Sequence, residues 1–176
     1  MLHYLQNLFQ ALDVSSLTDA VLRVAAVFLC LTVHETCHGL AAYALGDPTA
    51  KRMHRLSLNP LRHIDWMGIL MMVTLGFGWA KPVPVNPRNM RNPERGMLLV
   101  SVAGPLANML LAFVCAGGAA LMWRYAQTAG MTEGSAAHFL LRMFVVGTLS
   151  NFALAWINLV PIPPLDGSHI VESFLP

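Results

Sequence analysis

His34, Glu35 and His38 stand in the order His-Glu-Thr-Cys-His inside a long apolar stretch. On a helix, residues four apart are rotated by roughly 40° and displaced by about one turn. Both imidazoles therefore project from one face and can grip one metal ion. Glu35 is one step further round, close enough to reach a water at that ion without being forced to ligate it. Two His ligands beside a carboxylate base is the arrangement of a zinc hydrolase. A Glu and two His within an apolar span are also costly to bury, which makes them functional candidates by default. The competing reading has both histidines merely hydrogen-bonded to another helix.

A catalytic zinc site keeps three protein ligands and one open position. Two His leave one ligand to find. Asp13, Asp19, Asp47, Asp65, Glu94 and Glu133 lie in tails, loops or span ends, which leaves Asp166 and Glu172. Asp166 follows a turn made by Pro161, Pro163 and Pro164, where a helix cannot continue. His169 and Cys37 are further candidates.

These residues need a scaffold, and its composition is extreme. The chain has 176 residues, 56% hydrophobic and 11% charged, against about 25% charged in a soluble domain. So few charges cannot cover a water-exposed surface, and a disordered chain needs the opposite composition. The expected fold is an all-α polytopic membrane protein forming one domain over 1–176. Three core spans are expected at 19–45, 97–123 and 138–160. Residues 66–80 are too short to cross and read as a re-entrant or interfacial hairpin. Residues 1–18 have no basic n-region or cleavage site, so they read as an interfacial segment rather than a signal peptide. Residues 161–176 form a metal-ligand loop and a short C-terminal half-helix. Cys30 and Cys115 read as small buried hydrophobes.

Eight of the eleven Lys and Arg lie between Lys51 and Arg95. The positive-inside rule makes 46–96 cytoplasmic and gives the first span an outside-to-inside course. A nucleic-acid patch is the disfavoured reading, since both flanks are spans and the net charge is only +2. This orientation places His34, His38 and Asp166 at similar depth. Trp79 to Val85 alternates like an edge strand that tolerates Pro. It could pair with an unwound substrate by strand addition, or be an interfacial loop without substrate contact. Gly104, Pro105, Gly117 and Gly118 read as close helix packing. Asn108 and Asn158 are candidates for contact with substrate or transition state, or else interhelical hydrogen-bond partners. A metal transporter would need a polar path through the second span, which is nearly devoid of polar residues. A catalytically silent scaffold would not need Glu35.

HETCHG in one span, GPLAN (Gly104 to Asn108) in a later one and NLVPIPPLDG (Asn158 to Gly167) resemble the site-2 protease family of intramembrane zinc metalloproteases. LSLNPLRHID (Leu56 to Asp65) and FGWAKPVPVNPRN (Phe77 to Asn89) are similar to its compact bacterial members without PDZ or CBS domains. The resemblance covers about residues 20 to 170. It implies one Zn2+ per chain, held by His34, His38 and Asp166, with Glu35 catalytic and Asn158 near the site. It further implies cleavage of peptide bonds in or near transmembrane segments, in regulated intramembrane proteolysis. The setting would be lipid, in a bacterial cytoplasmic membrane, with no nucleic-acid partner and a homo-oligomer allowed. His54 stands where relatives usually have Gly, a change expected to alter a turn. Relatives generally continue with another hydrophobic helix after LDG, whereas this chain stops at Pro176.

Overall fold

A computed structural model describes residues 17–75, 78–130, 132 and 134–173. Its helices are α1 (Leu17–Ala44), α2 (Thr49–Arg52), α3 (Trp66–Leu75), α4 (Pro93–Ala129), α5 (Ala136–Asn158) and α6 (Asp166–Glu172), with 3-10 turns at Pro60–His63 and Pro87–Asn89. No strand occurs among the described residues. Three helices, α1, α4 and α5, are long and apolar enough to cross a membrane. They match the three expected spans, each beginning slightly earlier. The interfacial segment expected at 1–18 falls mostly outside the described residues.

Local chemistry sets the helix ends. Asn92 accepts from Arg95 N–H at 3.2 Å and Pro93 opens α4, a good first residue because its missing N–H would have no helical partner. Gly130 stops α4 with φ +70°. With 37 residues, α4 runs about 55 Å at 1.5 Å per residue, well beyond the roughly 30 Å of a hydrocarbon core. Ser135 caps α5 by accepting from His138 N–H at 3.2 Å.

Large apolar side chains such as Phe113, Leu121 and Trp156 point outward, as a lipid-facing surface requires. Small ones fill the helix contacts: Ala26, Cys30, Ala112 and Ala155 are buried. Lipid supplies no hydrophobic force between helices, so close van der Waals approach must hold them together. A Cβ on Gly118 would lie 2.6 Å from the Phe144 ring, whereas one on Gly117 would meet nothing within 4 Å. Close packing thus accounts for Gly118 but not Gly117.

After α3 the chain doubles back. A Cβ on Gly68 would lie 2.0 Å from the Trp79 carbonyl oxygen, so two backbones touch where only glycine fits. This is the expected hairpin, but its return limb is irregular. Of residues 81–85, Pro82 and Pro84 lack an N–H, Lys81 N–H is bound to His63 O at 2.9 Å, and Val83 N–H is bound to Glu35. Only Val85 keeps a donor, so the edge strand expected here does not form. His54 holds φ +54°, a left-handed conformation that costs a non-glycine residue about 1 kcal/mol. The turn keeps the backbone that glycine favours, although His occupies it.

Candidate metal centre

One turn of α1 presents His34 and His38 toward the start of α6. Their Nε2 atoms lie 2.9 Å apart. Asp166 Oδ2 is 3.2 Å from His34 Nε2 and 3.3 Å from His38 Nε2. Ligand bonds of about 2.0–2.2 Å in a tetrahedral zinc site put neighbouring donor atoms about 3.3 Å apart. The triangle formed here is of that size.

The far side of each ring tells which nitrogen is free. His38 Nδ1 lies 2.7 Å from the Val100 carbonyl oxygen, which can only accept, so Nδ1 carries the proton. Nε2 of the neutral ring then offers a lone pair. His34 Nδ1 lies 3.1 Å from the Asn108 side-chain amide. The two ends of an amide are isosteric, and a ligating His34 needs Oδ1 there to accept from Nδ1–H. Asp166 Oδ2 is buried without a hydrogen-bond partner. With His34 in that tautomer, three lone-pair donors face inward and repel one another unless a cation sits among them. The residues present therefore fit a divalent metal.

Glu35 is half-buried beside this triangle, and one of its oxygens and the two histidine nitrogens all lie within 4.8 Å of one another. Its Oε2 accepts from Val83 N–H at 2.8 Å. His34 and His38 side chains are 4% and 9% exposed, but Asp166 is 18% exposed.

Neighbouring elements close the back of the site. A Cβ on Gly104 would lie 2.4 Å from His38 Nε2 and 2.6 Å from His34 Cε1. Glycine lets the α4 backbone rest directly on both imidazoles. Thr36 donates to Ser57 O at 2.9 Å, and buried His63 reaches the same carbonyl at 2.8 Å, which ties the 53–65 loop to α1.

The structure thus brings together His34, Glu35, His38 and Asp166. Glu172 instead faces His169 at 3.0 Å in an exposed pair, away from the cluster. Cys37 is a free, partly buried thiol. Asn108 is fully buried behind His34, its amide 3.1 Å from His34 Nδ1. Asn158 Nδ2 donates one of its two N–H groups to Leu154 O at 2.9 Å in its own helix. Sequence reasoning missed Val83 and Val100, because both act through the backbone and any side chain can supply a backbone group.

Residues 22–176 match the model of peptidase family M50. The chain is 39% identical over 155 residues to "Putative zinc metalloprotease YwhC" of Bacillus subtilis (strain 168), covering 87% of this chain and 68% of that one. It is 30% identical over 160 residues to "Putative zinc metalloprotease Rip2" of Mycolicibacterium smegmatis, covering 88% of this chain and 58% of that one. No solved structure gives a significant match.

Proposed function

The chain belongs to peptidase family M50, and from that premise we propose that this integral membrane metalloprotease hydrolyses peptide bonds in or near transmembrane segments of membrane-protein substrates. The observation that carries the reading is the convergence of His34, His38 and Asp166 beside Glu35, against helices apolar enough to cross a bilayer. His34, His38 and Asp166 would hold the Zn2+. When bound, zinc supplies a Lewis acid for the scissile carbonyl and lowers the pKa of a water in its open position toward about 7.

The chain's own residues do the rest. Glu35 accepts the proton of the attacking water at its free oxygen and passes it to the departing amine. Val83 N–H holds the other oxygen, so the carboxylate turns little between the two transfers. Asn108 and the Val100 carbonyl orient the imidazoles. Asn158, through the amide N–H not given to Leu154 O, is the residue we assign to the developing charge on the substrate oxygen. A transmembrane substrate arrives with its amides hydrogen-bonded within its own helix and must unwind before attack. Gly, Pro or Asn near the scissile bond lowers that cost. We place the 46–96 region on the cytoplasmic face of a bacterial inner membrane, with water entering from that side, and regulated intramembrane proteolysis as the physiological setting.

The test compares wild type with Glu35→Gln and Asp166→Ala, purified in detergent and reconstituted in vesicles with a helical membrane substrate. Metal analysis should find one zinc per chain in wild type and Glu35→Gln, and a large loss in Asp166→Ala. Cleavage should vanish in both variants. Undiminished cleavage by Glu35→Gln would remove the base assignment, and full zinc retention by Asp166→Ala would remove Asp166 from the ligand set.

A further inference from the structure

A second buried carboxylate lies outside the metal cluster. Asp47, just beyond α1, is fully buried. Its oxygens accept from four neutral donors. Asn86 N–H reaches Oδ2 at 2.7 Å. Asn89 Nδ2 and Thr49 N–H reach Oδ1 at 2.8 Å and 3.0 Å, and the Thr49 hydroxyl binds the same oxygen. An unpaired buried carboxylate is expensive unless every lone pair is used, so this one is committed to its donors.

Two of those donors belong to the limb that returns over α1. Three residues before Asn86, the same limb gives its Val83 N–H to Glu35 Oε2. The link between them contains Pro84, whose φ is fixed near −65°, so little slack separates the two contacts. The Val83 side chain is buried against Gly39, where a Cβ would lie 3.1 Å from Val83 Cγ1. Two carboxylates at different levels of the first helix region thus clasp one short piece of backbone, and one of them is the proposed proton carrier.

We infer that Asp47 is a positioning residue for peptide hydrolysis: it anchors residues 83–89 so that the Val83 N–H pins one oxygen of Glu35 and keeps the other aimed at the reacting water. The inference rests on Glu35 carrying the proton. Its chemistry is geometric. A carboxylate with one oxygen held by a hydrogen bond samples fewer orientations, and proton transfer needs its partner within hydrogen-bond reach in the transition state. Misplacement by about 1 Å costs on the order of 100-fold in rate.

Asp47→Asn in the full chain replaces one acceptor oxygen by a donor at nearly constant volume. It should lower kcat per bound zinc by about 10- to 100-fold, with zinc content and KM near wild type. A purely structural role would instead lower the yield of folded, zinc-loaded chain and leave kcat per zinc unchanged, which overturns the inference. Should Asp47→Asn fail to fold, the double variant Thr49→Val with Asn89→Ala removes two of the four donors and leaves both carboxylates and all metal ligands in place. It should show a smaller kcat loss with zinc retained, and wild-type kcat per zinc in it overturns the inference. Glu35→Gln measured alongside separates the two levels. If Glu35→Gln still cleaves, the proton-carrier reading fails. If Glu35→Gln is dead while Asp47→Asn turns over normally per zinc, only the positioning role fails.

Discussion

At the scale of single residues, the metal cluster depends as much on what stands behind each imidazole as on the imidazoles themselves. The Val100 carbonyl fixes the tautomer of His38, Asn108 with its Oδ1 toward Nδ1 would fix that of His34, and such outer partners typically govern metal affinity by about 10- to 100-fold. Asn108→Leu should therefore weaken zinc binding by about that factor in a chelator competition. Retention at wild-type affinity would make the asparagine a packing residue. Gly104 is the steric counterpart. Its α-carbon stands where any side chain would strike His38 and His34, so Gly104→Ala must push α4 off α1 or turn the rings. Overpacking of this kind costs about 1–3 kcal/mol. The variant should show a lower unfolding temperature and sub-stoichiometric zinc, and a wild-type value for both would contradict the observed approach.

At the scale of elements, α1 and the limb after α3 form one unit. The limb crosses α1 with Lys81 bound to His63 O, Val83 to Glu35 and Asn86 to Asp47. Arg55 adds a bond to Lys81 O at 2.7 Å. Burial by itself would raise the Asp47 carboxyl, but hydrogen bonds from Asn86, Asn89 and Thr49 outweigh it and hold the group below its ordinary value. A carboxylate with a depressed folded-state pKa adds stability above its unfolded value of about 3.9. That stability is lost as pH falls through the folded value. In detergent, the melting-temperature gap between wild type and Asp47→Asn should be constant from about pH 7 to 5 and shrink below about pH 4. A gap that persists undiminished at pH 3 would show that the charge is not its source.

At the scale of the whole molecule, three membrane-crossing helices must present their ligands at one depth. The histidines lie on α1 and the aspartate opens α6, so a chain read as crossing once outward and once back between them returns Asp166 to the level of His34. By the positive-inside rule, the uneven distribution of Lys and Arg would orient this path with 46–96 on the cytoplasmic side. In a background lacking Cys30, Cys37 and Cys115, cysteines placed at Arg62 and Arg91 should label only from the cytoplasmic side of vesicles. A cysteine at Thr132 should label only from the other. Labelling of all three from one side would refute the proposed orientation.

The amino-acid order alone determined the membrane class, the three spans and the His-Glu-His motif, because each is a local property: apolar runs are as long as a bilayer is thick, and a four-residue spacing is one helical turn. Of the two acidic candidates, Asp166 and Glu172, the charge-derived orientation and the family resemblance already favoured Asp166. What only the packing of α6 supplies is the distance, with Asp166 Oδ2 3.2–3.3 Å from both imidazoles. Packing likewise moved Asn108 behind His34 and tied the 79–85 limb to Glu35 and His63 instead of leaving a free strand edge. Backbone groups such as Val83 N–H and Val100 C=O carry no side-chain signature, so their part in the site became visible only once distant segments lay side by side.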